Sequence, residues 1–116
     1  MVKKRIVVGA SYGARDWLIQ RLSAVVMMVY MIMMVSVFVV YPPTDYDRWH
    51  TVMAYGPVMA CTGLFFLAIL YHAWIGMRDI WMDYVKTPGL RLALHVLTCV
   101  ALIVYAGWVF YILWRL

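Results

Sequence analysis

The chain has 116 residues, of which 67% are hydrophobic, and it carries a formal net charge of +5. With a mean hydropathy of +0.86, that is more apolar surface than one small domain can hide from water, which excludes a soluble fold and makes the bilayer the solvent for most of the chain. The basic excess does not point to nucleic acid, because the Lys and Arg residues cluster at the ends of apolar runs, where they report membrane topology.

In chain order, Lys3, Lys4 and Arg5 open a basic segment. It resembles the start of a signal peptide, but the apolar run beginning at Trp17 or Leu18 is too long for one and reads as a retained span. Asp16 is the expected N-cap of that first span, which covers about 17–41. Twenty-five residues of helix reach ~37 Å, enough to cross a ~30 Å hydrocarbon core with some tilt. The five methionines of this span, Met27, Met28, Met31, Met33 and Met34, read as adaptable packing. Pro42 and Pro43 end it.

A polar connection follows, with Thr44 as expected cap and His50 solvated. The second span covers about 51–79, in which Gly56-Pro57 either kinks the helix or marks the start of its buried part. Asp79 to Thr87 is the expected loop, and Thr87-Pro88 reads as N-cap and first residue of a third span at about 88–114. The expectation is a single all-α membrane domain over 1–116 with three transmembrane helices. Cys61 and Cys99 lie at different depths and should not pair.

Eight of the ten basic residues fall on the face shared by the N-terminus and the second loop; Arg48 and Arg115 alone fall on the other. The positive-inside rule therefore expects a cytoplasmic N-terminus and a C-terminus across the membrane.

The stretch Tyr71–Lys86, YHAWIGMRDIWMDYVK, carries the most chemistry. His72 lies six residues before Arg78, ~9 Å inside the charged boundary, and an ionisable group at that depth marks a functional site. Ala68, His72 and Gly76 share one helix face, so a flat ring could lie against the backbone with the imidazole as axial ligand to a haem iron. A hydrogen bond from His72 to a neighbouring helix is the alternative. His95, four residues after Arg91, is at a comparable depth but lacks a small-residue face and fits a hydrogen-bonded interfacial role. Arg15 and Arg21 cluster with Asp16 where the first helix enters the membrane; they suit haem propionates, or equally lipid headgroups. Asp83-Tyr84 sets a carboxylate beside a phenol donor, as a quinone carbonyl requires, although interfacial tyrosines are also ordinary belt residues.

The block His72–Met77 (HAWIGM) with Asp83–Lys86 (DYVK), and RDWLIQRLSA at Arg15–Ala24, resemble the hydrophobic membrane anchor of bacterial succinate dehydrogenase, respiratory complex II. The resemblance extends over the whole chain in length and span count. It implies half of a two-chain helical bundle in the bacterial inner membrane, with the C-terminus periplasmic. The implied partners are a second, distinct membrane anchor, an iron–sulfur protein, a flavoprotein that oxidises succinate, and membrane lipid. It implies one b-type haem shared between the two anchors, with His72 as this chain's ligand to the iron and Arg21 on the propionate side; Arg15 stands where some relatives have a histidine near the haem. It further implies ubiquinone as substrate, with Tyr84 donating to a carbonyl beside Asp83.

The chain would thus be a subunit of an enzyme with no catalysis of its own, since it has no cysteine set for iron–sulfur clusters. A fumarate reductase anchor has the same architecture, and a purely structural anchor would need no haem ligand. A proton-coupled drug transporter is a poor fit, because all five acidic residues (Asp16, Asp45, Asp47, Asp79 and Asp83) lie at boundaries.

Overall fold

The computed structural model describes residues 10–116, so Lys3, Lys4 and Arg5 lie outside it. Four helices follow in order: α1 (Ala10–Val40), α2 (Tyr46–Met53), α3 (Gly56–Tyr84) and α4 (Pro88–Arg115). Among the described residues there is no strand. Three helices, α1, α3 and α4, are long and apolar enough to cross a membrane. At 28 to 31 residues each, they reach about 42–46 Å, the thickness of a bilayer including its headgroups.

The helix bounds differ from those expected, for one reason. Charge ends an apolar span but does not end a helix. The first helix already runs at Ala10, so Asp16 is not its N-cap and sits inside it, facing α3. Likewise α3 continues through Asp79 to Tyr84, because Ile80, Trp81, Met82 and Asp83 hold no helix breaker. The loop shrinks to Val85, Lys86 and Thr87. Thr87 and Pro88 do stand at the N-cap and at the start of α4, but the Thr87 side chain makes no capping bond.

Before α2 the cap is Asp45, not Thr44: the Asp45 carboxylate accepts from the Arg48 backbone N–H at 2.8 Å. Ala54 and Tyr55 then break the chain, and α3 starts afresh at Gly56. Pro57 is tolerated there because a first-turn N–H has no helical partner anyway.

α3 occupies the middle of a single layer. It packs against α1 on one side and α4 on the other, and among the described residues α1 and α4 do not touch. Little is buried within the chain itself: Met34, Ala68 and Ile75, with Ser23 and Thr62 as buried polar residues. In lipid, helices associate through close packing and interhelical hydrogen bonds, not through the hydrophobic effect. The α1–α3 seam accordingly carries polar rungs at three levels. Arg78 pairs with Asp16 at one end. His72 meets Ser23 and Gln20 one level deeper. Tyr30 donates to Thr62 at 2.8 Å, with its ring stacked 4.2 Å from that of Phe65.

The residues of α1 on this seam, Asp16, Gln20, Ser23, Met27, Tyr30 and Met34, recur at alternating spacings of four and three, the pattern of two helices packed side by side.

Candidate functional site

His72 is half-buried in the α1–α3 seam. Its Nδ1 lies 3.0 Å from the Ser23 hydroxyl oxygen. That hydroxyl spends its single proton on the Gln20 backbone carbonyl at 2.9 Å, so it can only accept from the ring. The pattern assigns the imidazole proton to Nδ1 and makes Nε2 the acceptor nitrogen of the ring. Nε2 faces the Gln20 side-chain nitrogen at 3.4 Å, long for a hydrogen bond. The Gln20 Oε1 is buried without any partner. A buried carbonyl left unpaired costs about 1–3 kcal/mol, so the Gln20 amide is poorly satisfied at both ends beside a nitrogen able to bind metal.

Next to it opens a cleft of about 480 Å³, lined by Asp16, Trp17, Gln20, Arg21, Ile75 and Arg78 among others. Arg21 is exposed and its guanidinium stacks 4.7 Å from the Trp17 ring centroid. This stacking anchors the cation at the cleft and replaces a free snorkelling conformation. Arg78 is held between Asp16 and Asp79, the latter at 3.7 Å. Arg15 is exposed on the same helix and is not among the cleft-lining residues.

The small-residue face expected around His72 is present but turned toward α1. Ala68 is buried, and a methyl group at Gly76 would lie 3.6 Å from the Gln20 side chain. That is ordinary contact distance, so packing against α1 does not by itself demand glycine there.

His95 belongs to the other seam. Its ring meets Trp74 edge-on at 6.2 Å between centroids, whereas His72 contacts α1. The two histidines therefore do not form a pair within this chain. Among the described residues no group of three or more His, Cys, Asp or Glu side chains could hold a metal ion. Cys61 and Cys99 are free. His50 is half-buried in α2 with its ring 5.6 Å from that of Tyr46.

Asp83 and Tyr84 occupy the last turn of α3, and both are exposed, Tyr84 at 81%. Twelve residues separate Tyr84 from His72, or about 18 Å along the helix and about a third of a turn around it. The two are distinct sectors of one helix.

Ser23 and Gln20 are the residues that inspection of the sequence missed. Their signal was the spacing of Asp16, Gln20 and Ser23, at i, i+4 and i+7, which puts these three polar residues on one stripe of α1.

Residues 1–108 match the family described as the succinate dehydrogenase/fumarate reductase transmembrane subunit. Over 102 residues the chain is 37% identical to the succinate dehydrogenase hydrophobic membrane anchor subunit of Coxiella burnetii (strain RSA 493 / Nine Mile phase I), a match covering 88% of this chain and 89% of that relative. Together with the three membrane-spanning helices, these matches establish that the chain belongs to the transmembrane anchor subunits of the succinate dehydrogenase/fumarate reductase family.

Proposed function

We propose that this anchor holds a b-type haem jointly with a second membrane anchor and delivers electrons from succinate to ubiquinone. The observation that carries the reading is the hydrogen bonding of His72. Its Nδ1 is 3.0 Å from a Ser23 hydroxyl that donates to the Gln20 carbonyl, while Nε2 has only a long 3.4 Å contact with the Gln20 side-chain nitrogen. Metal-ligating histidines are held in this way, one nitrogen fixed by a hydrogen bond and the other weakly engaged. The badly paired Gln20 amide marks where the incoming group would sit. Arg78 is already held by Asp16 and Asp79, so Arg21 is the cation this cleft can offer to the carboxylate side groups of a haem. A haem bound there supplies a one-electron store in the membrane. This chain provides one ligand only, so the second has to come from the partner anchor.

Tyr84 and Asp83 make the second half of the reading. On the exposed last turn of α3, at the lipid–water boundary, a phenol can donate to a quinone carbonyl while the neighbouring carboxylate relays protons from the aqueous side. Succinate oxidation itself and the iron–sulfur clusters belong, in this reading, to the peripheral subunits. The N-terminus and the Val85–Thr87 loop face the cytoplasm of a bacterial inner membrane, because most basic residues lie on that side.

Haem content of the assembled complex tests the proposal. One b-type haem per copy of this chain is expected. A haem-free complex with full quinone reductase activity would make the chain a structural anchor and leave His72 as a packing residue.

A further inference from the structure

Arg91 stands where a cation is disfavoured, at the end of the first turn of α4, near the positive end of that helix. Its side chain explains the placement. Both Nε and Nη2 donate to the Val85 carbonyl, at 3.0 and 2.8 Å, across the three-residue loop. Val85 is the C-cap residue of α3 with an extended backbone, so the guanidinium ties the residue that leaves α3 to the first turn of α4. One turn earlier, Trp81 Nε1–H donates to the Thr98 hydroxyl of α4 at 2.9 Å. Thr98 in turn donates to the Leu94 carbonyl at 2.8 Å, so its proton is spent and it acts as the acceptor for Trp81. The two ties bracket Asp83 and Tyr84, and Tyr84 itself, 81% exposed, rests on nothing that would fix it.

We propose that Arg91 is a positioning residue for Tyr84: by clasping the Val85 carbonyl, together with the Trp81–Thr98 tie, it holds the last turn of α3 to α4 and fixes where the Tyr84 phenol is presented. The inference rests on reading Tyr84 as the quinone's hydrogen-bond donor. A donor on a fraying helix end would be misplaced for much of the time, whereas one on a turn anchored on both sides is held in register with its acceptor.

The test uses the whole membrane complex, with ubiquinone analogues of short tail as the probe. Arg91→Gln removes the fork, Thr98→Val removes the acceptor for Trp81, and Tyr84→Phe removes the phenol. Each single change is expected to raise the quinone KM by about two- to tenfold, with succinate oxidation by a soluble dye unaffected. Arg91→Gln added to Tyr84→Phe should raise KM by less than about twofold more, since positioning is worthless without the donor. Arg91→Lys, with the charge but without the fork, reads the same quantity should Arg91→Gln fail to assemble. Unchanged KM in the Arg91 and Thr98 variants, with Tyr84→Phe impaired, overturns the inference and spares the quinone reading. A fully additive double variant does the same. An unimpaired Tyr84→Phe complex overturns both.

Discussion

The imidazole of His72 has two nitrogens, and Ser23 decides which of them carries the proton. A hydrogen bond from Nδ1–H makes the ring a stronger electron donor through Nε2 and so favours the oxidised state of a ligated iron. With His72 ligating a haem as proposed, Ser23→Ala should raise the haem midpoint potential by on the order of 20 mV, a fraction of one hydrogen bond at 59 mV per tenfold. Redox titration of the complex measures this, and an unchanged or lowered potential would show that His72 takes its second bond elsewhere. His72 was legible in the sequence because an ionisable side chain within an apolar run has few structural reasons to be there. Gln20 and Ser23 were not, because neutral polar residues near a helix entrance are common and their role appears only once α3 is set beside them.

Among the elements, α1 and α3 are set in register by their polar rungs, and the Asp16–Arg78 pair fixes the end nearest the site. Their side chains are 28% and 32% exposed, so the pair contributes about 1 kcal/mol at most. Its value lies in alignment. Asp16→Arg should lower the yield and thermal midpoint of the assembled complex, and adding Arg78→Asp should recover most of the loss. A swap no better than the single change would mean that the pair does not set the register. The three spans were readable from hydropathy, since lipid solvation imposes long apolar runs. Their ends were not, because Asp16 and Arg78 lie inside helices that run on past the apolar region. Gly56-Pro57 resolved as a helix start because the chain first breaks at Ala54 and Tyr55.

The molecule as a whole is a single layer whose outer helices never meet among the described residues, with most large apolar side chains turned outward. Such a layer leaves apolar surface for lipid and for other subunits, as expected of an anchor subunit. The proposed topology predicts that a reporter fused after Arg115 is active outside the cytoplasm, and one inserted at Thr87 inside it. Cytoplasmic activity from the Arg115 fusion would contradict this orientation. The resemblance in HAWIGM and DYVK pointed to the family from sequence, while the division of the histidines between two seams needed the structure. The most direct measurement is the reduced-minus-oxidised optical spectrum of the assembled complex, recorded for the unaltered chain, His72→Leu and His95→Leu. A low-spin b-type haem should be present in the first, perturbed or lost in the second, and retained in the third. Loss of the haem spectrum on changing His95 alone, with the His72→Leu spectrum unaltered, would contradict the assignment of His72 as the ligand.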